Sequence, residues 1–213
     1  MTVTHLVVGI FDIVIGCAML LLFVRLMFQF AGIDAKEDFA KPVYRFTRIV
    51  DVFGRIFPTL GGGRINTAAI MLLLILRLVF IWGILLLMRQ DMQNIGLFHS
   101  TDINLKMIDY LARHFSSPLM FFVGAVTLIL DFLRMAQYII IGSFIGSWVV
   151  MFTQKMPVIL GIVTKLSEPL IEPFRKIIPP MGMFDLAPMV GFFLIILLEM
   201  VVQTFGVYLL TLL

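Results

Sequence analysis

The chain has 213 residues, 61% of them hydrophobic and 14% charged, with a formal net charge of +3. A water-soluble domain carries about 25% charged residues, so nothing here could cover the outside of a soluble fold, and lipid is the solvent for most of this surface. The single Cys17 has no intramolecular partner and says nothing about redox compartment.

Four segments are long and apolar enough to cross a bilayer as helices, which takes about 20 residues. The first is Leu6 to Phe30. No Lys or Arg precedes Arg25, so this run lacks the basic start of a secretory signal and is expected to stay in the membrane. Asp12 lies within it, and Arg25 is close enough to its end to snorkel toward water.

The 31–66 segment follows, with Lys36, Lys41, Arg45, Arg48, Arg55 and Arg64. Between Pro42 and Phe57 the apolar residues Val43, Phe46, Ile49, Val50, Phe53, Ile56 and Phe57 recur in steps of three and four, the mark of one helical face. Such a helix either lies in the membrane interface with its arginines at anionic headgroups or packs on the ends of the spans. Pro58 and the Gly61-Gly62-Gly63 turn lead to Asn66, a good N-cap for the second span, Thr67 to Met88, which carries Arg77 near its middle.

The 89–118 segment holds only Arg89, Lys106 and Arg113, and its Ser100-Thr101-Asp102 and Ser116-Ser117-Pro118 runs read as helix caps. The third span lies within Leu119 to Phe152, which is longer than one crossing needs. No Pro or Gly interrupts Ala125 to Ile141, so one helix is expected, with Asp131 and Arg134 on one face. The 153–185 segment holds Lys155, Lys165, Arg175 and Lys176, and the fourth span, Leu186 to Leu213, carries Glu199.

Ten of the 16 basic residues fall in the 31–66 and 153–185 segments. The positive-inside rule puts both in the cytoplasm, with the termini and the 89–118 segment on the other side of an inner membrane.

The halves of the chain echo each other. At a spacing of 121 residues Phe23 aligns with Phe144, Asp51 with Glu172, Phe53 with Phe174, Arg55 with Lys176, Ile56 with Ile177, Pro58 with Pro179 and Gly61 with Gly182. Two extra residues in the glycine turn then bring Asn66 onto Asp185 and Ala68 onto Ala187. Two spans per unit would make the repeats parallel, covering 1–90 and 119–213 and joined by an outer loop at 91–118.

The prolines at 169, 173, 179 and 180 each remove a backbone donor, so the second copy is expected to be a bent hairpin rather than a rod. Glu168, Pro169, Glu172, Pro173, Arg175, Lys176, Pro179, Pro180, Gly182 and Asp185 form this motif, with Arg55, Pro58, Gly61 and Asn66 as its first-half counterparts. Its roles are to bend, cap and re-enter the membrane, or to hold a headgroup or small anion at a helix N-terminus with help from Arg64 or Lys176.

Charges at membrane depth are costly and seldom idle. Arg77 and Glu199 sit at similar depths, and an ion pair between them is expected. It would fix helix register or gate an ion route. A second cluster, of Asp12, Asp131 and Arg134, is expected nearer the outer face. No His, Cys and carboxylate set has metal spacing, and the phosphate-loop and GxSxG patterns are absent. Fifteen Met and 21 Phe, scattered through apolar runs, are packing and lipid-facing residues rather than a cofactor surface. No cofactor, no catalytic residue and no nucleic-acid partner is expected.

The run EPLIEPFRKIIPPMGMFDLAP at 168–188 resembles the signature of the YggT/YlmG family of small bacterial and plastid membrane proteins. Proteobacterial members carry two such repeats. The first half departs from the pattern, with Thr47-Arg48 at the place of Glu168-Pro169 and Val52 at that of Pro173. This points to the second half if the motif binds something. The resemblance implies an all-α inner-membrane protein without enzymatic activity. Its implied roles are membrane organisation or osmotic and envelope stress, through anionic lipids, a membrane-protein partner or a homo-oligomer. The alternative is a subunit of an ion transporter or channel.

Overall fold

A computed structural model describes residues 3–61, 63–87, 102–176 and 185–212. Within them the chain forms α1 (Val3–Phe30), α2 (Lys41–Phe46), α3 (Ile49–Phe53), α4 (Thr67–Leu87), α5 (Asp102–Arg113), α6 (Ser117–Thr153), α7 (Val158–Arg175) and α8 (Ala187–Leu212). Four of these, α1, α4, α6 and α8, are long and apolar enough to span a membrane, as the sequence predicts.

The spans pack in the order α1, α4, α6, α8, with α6 and α8 in the most extensive contact. The ends of α1 and α6 and the starts of α4 and α8 share one end of the bundle, where α2, α3 and α7 also lie. We call this the basic end. A buried cluster of Met19, Leu22, Phe23, Val50, Ala68 and Leu73 joins α1, α3 and α4 there. At the opposite end Phe80, Ile84, Leu119, Val123 and Leu210 pack around Met107, Ile108 and Leu111.

That last trio belongs to α5, so the 91–118 segment is more than a connecting loop. Met107, Ile108 and Leu111 sit on one helical face, and burying them seals the spans from above.

The third span is a single helix. Ser116 caps α6 by accepting from the Leu119 N–H at 3.4 Å, and Pro118 in the first turn forfeits no intrahelical bond. Its 37 residues rise about 55 Å, well beyond the roughly 30 Å of bilayer hydrocarbon. The helix therefore tilts or emerges, and its N-terminal end, away from the basic end, is the part clad by α5.

Two local expectations fail. The Pro42–Phe57 stretch is two short helices, α2 and α3, broken at Thr47-Arg48. The guanidinium of Arg25 binds the Thr47 carbonyl at 2.6 Å, and Val50 and Asp51 bond three residues back instead of four. A tertiary bond thus takes an acceptor that a continuous helix would use.

The second failure concerns the motif prolines. α7 runs through Pro169 and Pro173 as one helix. Each proline leaves the carbonyl four residues earlier without its usual donor, at Lys165 and Pro169. A four-residue spacing puts both defects on one side, where Lys165, Glu168, Glu172 and Pro173 are exposed. The freed carbonyls can be solvated there, and packing on α6 and α8 holds the helix together. Pro179, Pro180 and Gly182 lie outside the described residues.

Candidate functional site

Ion pairs between α4 and α6 and between α6 and α8 lie in the bundle interior. The Arg77 side chain of α4 is fully buried, with Nη1 3.2 Å from Oδ2 of Asp131 on α6. The pair is close enough for strong attraction but not aligned as a hydrogen bond. Arg77 Nε donates to the Thr127 hydroxyl at 2.9 Å, and the guanidinium lies 5.5 Å from the Phe80 ring centroid. Asp12, buried on α1, and Arg134 both lie near enough to act on Arg77 electrostatically.

Glu199 of α8 binds Arg134 of α6 at 2.8 Å. Gln137 donates to its other oxygen at 2.7 Å, and Gln203, one turn along α8, donates at 3.1 Å. The expected Arg77–Glu199 pair is therefore not made. Both residues turn instead toward α6, which stands between α4 and α8 and presents Asp131 to one side and Arg134 to the other. Similar depth along two helices did not make them neighbours. Thr127, Gln137 and Gln203 were not singled out from sequence, although Gln203 stands at i+4 from Glu199.

At the basic end Arg25 is buried rather than snorkelling. It pairs with Asp51 of α3, binds the carbonyl and hydroxyl of Thr47, and lies 4.9 Å from the Tyr44 ring centroid. Its reach draws α2 and α3 onto the end of α1. Tyr44 donates to the Ile33 carbonyl at 2.9 Å, and burial pushes its phenol above the ordinary value.

This docking divides the apolar residues of 42–57. Val50 is buried, and Val43, Phe53 and Phe57 face the protein, whereas Phe46 (76% exposed), Ile49 (55%), Val52 (59%) and Ile56 (73%) point away. Arg45, Arg48 and Arg55 are exposed alongside them and make no ion pair among the described residues.

The caps form as expected. Asn66 Oδ1 accepts from the Ala69 N–H at 3.1 Å, and Asp185 Oδ1 from the Ala187 N–H at 3.0 Å. The Pro58 carbonyl accepts the Thr67 hydroxyl. Gly61 and Gly63 have φ of +63° and +91°, so the turn between the paired Leu60 and Ile65 needs glycine. In the second half Arg175 Nε donates to Asp185 Oδ2 at 2.8 Å, tying the end of α7 to the start of α8. Glu168 is 3.9 Å from Arg175, and Lys176 is 3.3 Å from Glu172. The motif's charges are largely spent on each other, while Arg45, Arg48 and Arg55 of the first half make no ion pair among the described residues.

No group of three or more His, Cys, Asp or Glu that could hold a metal occurs among the described residues. The arrangement defines a helical multi-pass membrane protein with ion-paired spans and a folded basic end.

Residues 122–206 match the family model described as CCB3/YggT, in the second half where the motif is better kept. The chain is also 25% identical over 182 residues to "Uncharacterized protein YggT" of Escherichia coli strain K12, covering 85% of this chain and 80% of that protein. The proteins of that name from E. coli O6:H1 and O157:H7 align with the same identity and coverage. The second half of the chain is thus similar to the CCB3/YggT family, and most of its length aligns with these relatives. No solved structure matches it.

Proposed function

We propose that this protein is a non-enzymatic organiser of the inner membrane that engages anionic lipid through α2 and α3 and supports osmotic or envelope homeostasis. The observation that carries this reading is the outward face of Phe46, Ile49, Val52 and Ile56 beside Arg45, Arg48 and Arg55, which are exposed and make no ion pair among the described residues. Exposed apolar side chains beside arginines suit the headgroup boundary, where the apolar groups enter the acyl region and the cations meet phosphates. The basic end is then cytoplasmic, the termini lie outside, and the two halves are copies of one module. The matching order of long helix, amphipathic segment, capped long helix supports the duplication.

The test is lipid retention. Native mass spectrometry of the full chain extracted from membranes should show bound phosphatidylglycerol or cardiolipin. The triple variant Arg45→Gln, Arg48→Gln, Arg55→Gln should lose it and fail to restore hypo-osmotic survival to a deletion strain. Unchanged retention in a folded triple variant would end this reading. A reporter fused to the C-terminus checks the orientation, because a cytoplasmic signal would reverse it.

A second reading, an ion transporter or channel subunit, draws on the five interior charges Asp12, Arg77, Asp131, Arg134 and Glu199. The Arg77–Asp131 and Arg134–Glu199 contacts are closed pairs that lock helices together, which favours a structural role. Robust ion flux from purified protein in liposomes, abolished by Glu199→Gln, would favour the second reading over the first.

A further inference from the structure

The motif carboxylates Glu168 and Glu172 have no part in the lipid contact just described. They line a cleft of about 170 Å³ between the two halves of the chain. Its first-half wall is the end of α1, Phe30 to Gly32, together with Arg64, and its second-half wall is α7, with Lys165, Glu168, Pro169 and Glu172.

The walls carry opposite offers. Arg64 makes no ion pair among the described residues, and Lys165, its side chain half-exposed, has Glu37 at 3.3 Å and the Phe39 ring centroid at 6.0 Å. Two cations thus face the cleft with donors to spare. The acceptors are the carboxylates of Glu168 and Glu172, whose partners Arg175 and Lys176 are held at 3.9 and 3.3 Å in exposed pairs that exchange readily. The carbonyls of Phe30 and Ala31 add to them. They belong to the negative end of α1 and accept no backbone hydrogen bond outside the helix among the described residues. Pro169 contributes by omission, since it has no N–H for the Lys165 carbonyl on the same wall.

A simple anion would meet the two carboxylates, and a simple cation the arginine and lysine. A ligand with both charges a few bonds apart satisfies both walls. We propose that this cleft binds a phosphoethanolamine group. Its phosphate lies on Arg64 and Lys165, and its ammonium on Glu168, Glu172 and the end of α1. The site lies at the boundary where α1 leaves the membrane, which suits the headgroup of phosphatidylethanolamine. It rests on the lipid-contact reading above but uses none of the same residues.

The full chain is placed in nanodiscs whose zwitterionic lipid is either phosphatidylethanolamine or phosphatidylcholine, at constant anionic content. Lipid adducts are then counted by native mass spectrometry. Choline has three N-methyl groups and no N–H to give the carboxylates. Phosphatidylethanolamine should be retained about fivefold better, the scale of one exposed charged contact. The preference should vanish in Glu168→Gln/Glu172→Gln, and Arg64→Gln should lower adduct formation. The Arg45/Arg48/Arg55 variant should keep the preference, which separates this site from the anionic face. In phosphatidylcholine nanodiscs, titration with soluble phosphoethanolamine identifies the source. Binding that the carboxylate variant loses supports the same site filled from water. No binding there, with the lipid preference intact, assigns it to the membrane. Equal retention of the two lipids without soluble binding overturns the proposal, as does a preference unchanged in both Glu168→Gln/Glu172→Gln and Arg64→Gln.

Discussion

Asp131→Asn is the sharpest probe of the interior. It keeps the side chain's shape and removes the countercharge 3.2 Å from a fully buried guanidinium. Leaving one member of a buried pair uncompensated costs about 3–5 kcal/mol. The Thr127 hydroxyl and the Phe80 ring still hold Arg77, and Asp12 is near, so the low end applies. A loss of about 3 kcal/mol lowers the folding equilibrium constant by more than about a hundredfold. Arg77→Met with Asp131→Leu removes both charges and should return most of that loss, because packed apolar residues replace buried pairs at little or no cost. Denaturant unfolding in mixed micelles, followed by far-ultraviolet circular dichroism, gives each value. The charge exchange Arg77→Asp/Asp131→Arg should recover stability relative to either single change, and Arg77→Glu/Glu199→Arg should not. A cost for Asp131→Asn within about 0.5 kcal/mol, the range of a surface substitution, would refute the reasoning, as would rescue by the Glu199 exchange.

Three further expectations follow from the packing. Arg25→Leu removes charged hydrogen bonds of about 1.5–3 kcal/mol each, so α2 and α3 should come away from α1, and amide exchange across 43–53 should speed by tenfold or more. Exchange unchanged there would mean that Arg25 does not hold the segment. Gly83→Ala would place a Cβ 2.4 Å from the Phe11 ring, where α1 meets α4. A cost of about 1–3 kcal/mol is expected, and Phe11→Leu should relieve it in the same unfolding assay. Tyr44 has a phenol pKa raised above 10.0 by burial. Ionisation is then harder in the folded state than in the unfolded one, so stability holds below about pH 10 and falls as pH rises through the folded pKa. Phenolate absorbance should titrate late for Tyr44, and Tyr44→Phe should flatten the alkaline fall.

Much of this was legible in the chain. Apolar runs of about 20 residues have one stable form in lipid, because each backbone must satisfy its own hydrogen bonds there. The four spans, the unbroken α6, the caps at Asn66, Ser116 and Asp185, and the glycine turn are local properties written in local sequence. The basic segments and the family resemblance are of the same kind.

Partner choice was not local. Arg77 and Glu199 could be placed at matching depths, but whether they meet depends on which helix stands between them, and that helix is α6. The break at Thr47 depends on Arg25, 22 residues away in sequence and 2.6 Å away in space. Continuity of α7 through two prolines depends on neighbours that hold it. The apolar residues of 42–57 share one period in sequence, yet docking buries some and leaves Phe46, Ile49, Val52 and Ile56 facing outward. Sequence alone determined that this protein spans a membrane and where its charges lie along each span. Only the tertiary structure decided which charges pair and which faces stay open, because both depend on distances between segments that periodicity and composition do not encode.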